Sequence, residues 1–197
     1  VNAFVRLSYE RLKDHPVNKA RVEQGLPPAN IILPRGAGVA PHLEPFPKRH
    51  KVRACAVVET GLIRGIARFV GMDTLDAPGT TGGVDSDLIS MAETLARALT
   101  EYDFVLCNVK APDLCGHDGN PQLKAQVIER IDAMVAHLLQ RYTEPFYLIV
   151  TADHSTPCSV RDHSGDPVPV LLHGPDLRGD DVLHFHERAC QAGGMGR

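Results

Sequence analysis

Five apolar residues, Phe146-Tyr-Leu-Ile-Val150, break without transition into Thr151-Ala-Asp-His-Ser-Thr-Pro-Cys-Ser-Val-Arg-Asp-His163. A short β-prone run ending abruptly in acids, imidazoles and hydroxyls reads as a buried parallel strand whose carboxyl end opens into a polar loop. Open α/β sheets bind their ligands at such strand ends. The pattern occurs twice: Asp103-Phe-Val-Leu-Cys-Asn-Val109 opens into Lys110-Ala-Pro-Asp-Leu-Cys-Gly-His-Asp-Gly119. Two neighbouring strand ends are therefore expected to deliver Asp113, His117, Asp153, His154 and His163 to one edge of a sheet. The expectation is a divalent-metal site for phosphoryl chemistry.

The remaining chain alternates in the same way. Val1 to Gln24 reads as helix, with Phe4, Val5, Leu7 and Leu12 able to share a face and Pro16 opening a second helix. Asn30-Ile-Ile-Leu-Pro34 predicts a short strand before the loop Arg35-Gly-Ala-Gly38, and the proline-punctuated Pro41 to Pro47 marks a domain boundary. Strands are expected at 53–58, 72–75, 103–109, 146–151 and 168–172, and helices over 60–69, 85–100 and 120–142. This alternation argues for an α/β fold with a mostly parallel sheet covered by helices on both faces. Gly79-Thr-Thr-Gly-Gly83 lacks the Lys-Ser/Thr of a Walker loop and reads as a flexible connector.

Composition excludes several function classes. A net charge of -3 gives no sign of a nucleic-acid binder or of a polybasic membrane surface. No apolar run reaches the roughly 20 residues that span a bilayer, and a soluble cytosolic protein is expected. The five cysteines include no Cys-x-x-Cys pair, which is reduced-compartment usage, and Cys55 and Cys107 fall within apolar strand runs as small hydrophobes.

Asp113 and His117 are four residues apart, so a helix beginning after Pro112 would set both on one face. Asp with two His suits Zn²⁺ or Mn²⁺, with His163 as third ligand. Asp153 and His154 are adjacent and need a kinked backbone to reach one pocket. Two clusters of donors suggest two metals, which clamp the attacking and leaving oxygens of a phosphoryl transfer. A closed structural Zn site of Cys115, Cys158, His117 and His163 is the alternative, although its spacing fits no zinc-finger pattern. His15, His42, His50, His137, His173, His184 and His186 are assigned to solvated positions, and Ser155 to the loop.

Lys110 to Gly119, Ala152-Asp-His-Ser-Thr-Pro157 and His163-Ser-Gly-Asp-Pro-Val-Pro169 resemble the metal-binding segments of the alkaline phosphatase superfamily. Asn18-Lys, Gly25-Leu-Pro-Pro-Ala-Asn30 and Arg35-Gly-Ala-Gly38 narrow the resemblance to the archaeal-type 2,3-bisphosphoglycerate-independent phosphoglycerate mutases. The resemblance implies an alkaline phosphatase-like sheet, incomplete on its amino-terminal side. It assigns 1–45 to the tail of an inserted substrate-holding domain and 46–197 to the carboxyl-terminal part of the metal-binding domain. One divalent ion (Mn, Zn or Mg) would be held by Asp113, His117 and His163 and a second by Asp153 and His154.

Arg35 and Arg64 would meet the phosphoglycerate. The nucleophilic serine, which carries phosphate between the 3- and 2-positions, has no counterpart here. The chain is therefore expected to be part of a longer isomerase of glycolysis and gluconeogenesis and to be inactive alone, with self-association through an exposed sheet edge. A phosphate-ester or phosphonate hydrolase of the same superfamily, and a non-catalytic metal-binding module, are the competing expectations.

Overall fold

The computed structural model describes residues 1–36 and 38–195 and divides into two compact units, Val1–His42 and Leu43–Arg197. In the first, α1 (Asn2–Leu12) and α2 (Pro16–Glu23) are separated by the turn at Lys13 to His15. Pro16 takes a position where a missing N–H costs nothing, and His15 caps the helix by accepting from Val17 N. Asn18, almost fully buried, ties the unit together: its side-chain NH₂ donates to Leu12 O (2.7 Å) and Ala29 O (3.2 Å), and its Oδ1 accepts from Ala29 N (2.9 Å).

Two expectations fail in this unit. Phe4 and Leu7 are exposed, and the buried residue of α1 is Ser8, whose hydroxyl accepts from Ile32 N at 3.0 Å. Asn30 to Pro34 forms no strand: that side-chain bond satisfies a backbone donor which a ladder would otherwise have taken. Ala37 of the Arg35 to Gly38 loop, and the terminal Gly196 and Arg197, lie outside the described residues.

The second unit is built on β1 (Ala54–Val58), with α3 (Phe46–His50) before it and α4 (Gly61–Phe69), β2 (Asp73–Leu75), α5 (Leu88–Ala98) and β3 (Phe104–Asn108) after it. These strands form a parallel sheet in the order β2-β1-β3, with Cys55 opposite both Asp73 and Val105. All five residues of β1 are buried, as an unbroken apolar run predicts for a central parallel strand. Alternation divides them between two cores. Val57 packs with Met91, Ala92 and Leu95 of α5 and with Met134 and Leu138 of α7 (Pro121–Arg141), while Ala54, Ala56 and Val58 pack with Ala67 of α4 and Met72. Helices therefore cover both faces of the sheet.

Local chemistry sets the element ends. Asp87 accepts from Ser90 N at 2.9 Å to start α5, and Asn120 accepts from Leu123 N at 3.1 Å to start α7. Gly71 closes α4 at φ +83°, where a Cβ would lie 2.8 Å from that of Pro45. Burial leaves Cys55 and Cys107 as inert core residues, their thiols pushed up to about 11 and about 12. The 77–87 segment is no slack connector. Thr81 N donates to Ser86 Oγ at 3.1 Å, Asp87 N donates to Gly79 O, and the Arg130 guanidinium from α7 grips the carbonyls of Val84 and Ser86.

The carboxyl-terminal third departs from the expected topology. β4 (Leu148–Val150) does not join β3. It pairs antiparallel with β5 (Leu171–His173), Ile149 opposite Leu172, in a separate two-stranded ribbon that ends before α8 (Glu187–Cys190). Among the described residues the outer edge of β3 has no strand partner. His137, assigned to solvent from the sequence, is paired instead: its Nε2 lies 2.7 Å from Glu93 Oε1, across the α5–α7 contact. No described helix is long and apolar enough to cross a membrane.

Candidate metal centre

The short helix α6 (Ala111–His117) starts two residues after β3, with Pro112 in its first turn. The residue that caps its amino terminus is anchored to the sheet, because Lys110 N donates to Glu59 Oε2 at 3.2 Å just past the end of β1. One helical turn carries the backbone from Asp113 to His117 and places both side chains on one face, as their spacing predicts. The second half of the site comes from the loop after β4. Ser164 N donates to Ser155 O at 3.0 Å, an isolated antiparallel bridge that folds 156–163 into a closed loop. His154 and His163 then stand beside each other with ring centroids 3.8 Å apart.

The two halves meet. Asp113 Oδ1 lies 3.5 Å from His117 Nε2 and 3.5 Å from His163 Nε2, and the two imidazole nitrogens are 3.3 Å apart. Tetrahedral coordination with bonds of roughly 2.0–2.1 Å sets ligand atoms about 3.3–3.4 Å apart, so this triangle has the dimensions of three ligands around one small divalent ion. Proton placement agrees. His117 Nδ1 lies 3.1 Å from the Arg161 carbonyl, which can only accept, so the hydrogen sits on Nδ1 and Nε2 presents a lone pair to the centre. Arg161 takes a left-handed φ of +58° to turn that carbonyl inward.

His154 borders the triangle, its Nε2 3.9 Å from Asp113 Oδ1 and 3.7 Å from Asp153 Oδ2. Asp153 itself is largely exposed and faces only His154 among these donors. All five acids and imidazoles read from the sequence are thus drawn to one place. They do not come from adjacent strands of one sheet, as expected, since β3 belongs to the parallel sheet and β4 to the ribbon.

Electrostatics favour an anionic Asp113. Burial pushes its carboxyl up, but hydrogen bonds from Lys110 and Thr156 and the charge of Lys110 outweigh that and hold it down at about 2. Thr156 Oγ1 donates to Asp113 Oδ1 at 2.7 Å and lies 3.1 Å from His154 Nδ1. Gly116 makes room for Thr156, because a Cβ there would meet Thr156 O at 2.4 Å. Thr156, Gly116, Glu59 and Arg161 escaped the sequence reading. Only the hydroxyl-rich Ser155-Thr156-Pro157 run beside the ligands hints at one of them.

The closed cysteine site is overturned. Cys115 is on the buried face of α6, packed with Val127 of α7, and Cys158 Sγ–H points at the Cys115 carbonyl 3.7 Å away, so neither thiol joins the cluster of candidate ligands. Ser155 faces away too, its hydroxyl donating to Asp166 O at 3.3 Å. Arg64, on α4, pairs with Asp76 and donates to Val58 O at 3.1 Å, while Arg35 is an exposed residue of the first unit. A surface concavity of about 520 Å³ is at the opposite end of the sheet, where Arg53, Ala54, Asp73 and Tyr102 line it. Arg53 there is already paired with Asp103 (3.1 Å) and Tyr102 with Asp73 (3.1 Å), whereas the metal-sized cluster is an open surface feature. The donor geometry therefore outweighs the size of the hollow.

The chain is 50% identical to 2,3-bisphosphoglycerate-independent phosphoglycerate mutase 1 of Methanothermobacter thermautotrophicus, over all of this chain and 48% of that protein. It is 44% identical to the corresponding protein of Methanocaldococcus jannaschii, over 99% of this chain and 48% of that one. The chain spans about half the length of the curated relatives it matches.

A solved structure of a Pyrococcus horikoshii protein superposes with a TM-score of 0.89 at 42% identity, covering 98% of this chain and 51% of that one. The cofactor-independent phosphoglycerate mutase from Thermoplasma acidophilum gives 0.60 at 27% identity, covering 98% and 46%. The family model described as Metalloenzyme superfamily matches residues 14–197, a span that includes every candidate ligand, and the chain belongs to that superfamily.

Proposed function

We propose that this chain supplies the metal-binding part of a cytoplasmic 2,3-bisphosphoglycerate-independent phosphoglycerate mutase, which interconverts 3- and 2-phosphoglycerate in glycolysis and gluconeogenesis. The observation that carries the reading is the triangle of Asp113, His117 and His163, with donor atoms 3.3–3.5 Å apart. These three would hold one divalent ion, and Asp153 with His154 would begin the site of a second. Such ions supply positive charge to phosphoryl oxygens and lower the pKa of an attacking hydroxyl.

The chain's own residues hold and orient the donors. Lys110 and Thr156 keep Asp113 ionised, and the Arg161 carbonyl fixes the His117 ring. Neither Ser155 nor Ser164, which donates to Asp166 at 2.7 Å, presents a free hydroxyl, so the phosphate-carrying serine would come from the part of the relatives that this chain does not span. Residues 1–45 would belong to the substrate-holding domain, with Arg35 and Arg64 as contacts for phosphoglycerate. Self-association would run through the outer edge of β3.

The test is the parent protein that contains this chain, assayed with Mn²⁺ and either phosphoglycerate. Formation of the other isomer without release of inorganic phosphate supports the mutase, and phosphate release in its place supports the hydrolase reading. Asp113→Ala should lower Mn²⁺ affinity by more than the roughly 100-fold that outer-shell changes cost. Unchanged titration calorimetry would remove the metal assignment.

A further inference from the structure

Thr156 is 5% exposed in a region where most side chains face solvent, and both its carbonyl and its hydroxyl have partners. Lys124 Nζ from α7 donates to its carbonyl at 2.8 Å, and its methyl rests against Gly116, where a Cβ would come within 2.8 Å of Thr156 Cγ2. The hydroxyl therefore has a fixed seat. It lies 2.7 Å from Asp113 Oδ1 and 3.1 Å from His154 Nδ1.

A hydroxyl has one hydrogen and can otherwise only accept. A carboxylate oxygen has no hydrogen, so at 2.7 Å the threonine hydrogen must point at Asp113; the reverse would set two lone pairs against each other. With its hydrogen engaged, Oγ1 can meet His154 only as an acceptor, and the imidazole must carry its hydrogen on Nδ1. His154 Nε2 is then a bare lone pair, and it faces Asp113 Oδ1 and Asp153 Oδ2 at 3.9 and 3.7 Å. The geometry points to Thr156 as a positioning residue that sets the His154 tautomer and, through one oxygen, links the Asp113 ligand set to the Asp153–His154 pair. This rests on the metal reading above, and it adds a residue that orders the second site from the first.

Thr156→Val keeps the shape and removes the hydroxyl; Thr156→Ser keeps the hydroxyl and removes the methyl. In the full chain without metal, ¹⁵N shifts of the His154 ring report which nitrogen bears hydrogen. The wild type and Thr156→Ser should show the Nδ1–H form, and Thr156→Val should move towards Nε2–H. In Co²⁺ titrations followed by visible absorption, Thr156→Val should weaken the second binding step by about 10–100-fold, the range typical of lost outer-shell partners. Thr156→Ser should restore most of it.

Ring shifts that are the same in wild type and Thr156→Val overturn the inference, whatever the titration shows. If the wild type binds no Co²⁺, the metal reading fails, and the ring shifts still decide the role of the hydroxyl.

Discussion

The two arms of the candidate metal centre are built to different standards. The α6 arm grows from β3, inside a parallel sheet with helices on both faces, and is anchored at its first residue by Glu59 beyond the end of β1. The 151–170 arm hangs from a two-stranded ribbon in which Ile149 is 62% exposed, whereas Val57 of β1 is fully buried. Yet both arms present donors to one triangle. The first gets its precision from the core, and the second from cross-ties to the first: Thr156 to Asp113, Lys124 to the Thr156 carbonyl, and His117 to the Arg161 carbonyl. An arm with little core of its own can still be accurate when it is fastened to one that has a core.

The contrast fails most completely if the fastening is removed. Gly116→Val drives a side chain into Thr156, where even a Cβ sits 2.4 Å from the carbonyl oxygen. The expected cost is about 1–3 kcal/mol in denaturant unfolding, together with loss of the His117–His163 approach and hence of measurable Mn²⁺ binding. If Mn²⁺ binding survives, the second arm finds its place without the first.

A smaller effect separates the two sheets. Val57→Ala should cost about 2–3 kcal/mol, within the range for buried aliphatic truncations, and Ile149→Ala less than about 1 kcal/mol. Equal penalties in chemical denaturation would mean that the ribbon is as much a part of the core as β1.

The smallest effect concerns the clasp behind the first arm, where Glu93 of α5 meets His137 and Arg141 of α7. The hydrogen bond from His137, opposed by partial desolvation and aided by Arg141, lowers the Glu93 carboxyl below its ordinary 4.5. A lowered folded pKa means stability that is present above the unfolded value and lost as pH falls through the folded one. The melting-temperature gap between wild type and Glu93→Gln should therefore be widest near neutrality and shrink once the pH drops below about 4.5. A gap constant with pH would show that the pair acts by packing and not by charge.

Periodicity was enough for the first arm. The buried run of β1, the stripes of α5 and α7, and the Asp113 to His117 spacing all follow from rules that act within a few residues. It was not enough where a choice between partners decides the structure. Phe146 to Val150 is as apolar as β3, and nothing within it says whether its neighbour will be β3 or β5. Asn30 to Pro34 has strand composition, but Ser8 takes one of its backbone donors from 24 residues away. The candidate donors themselves were legible because imidazoles and carboxylates at strand ends are uncommon. Thr156 and Gly116 were not, since a threonine hydroxyl and a missing Cβ acquire meaning only from what lies against them.

The isolated bridge between Ser155 and Ser164 has a consequence for how this protein can vary. His154 and His163 each directly precede one residue of the bridge, so chain length between them is fixed by the distance their rings must keep, and Arg161 already uses an uncommon backbone conformation to make the path fit. One residue more or fewer would rotate His163 out of register and spoil the centre, even with every donor retained. Side chains along this path can be exchanged; its residue count cannot.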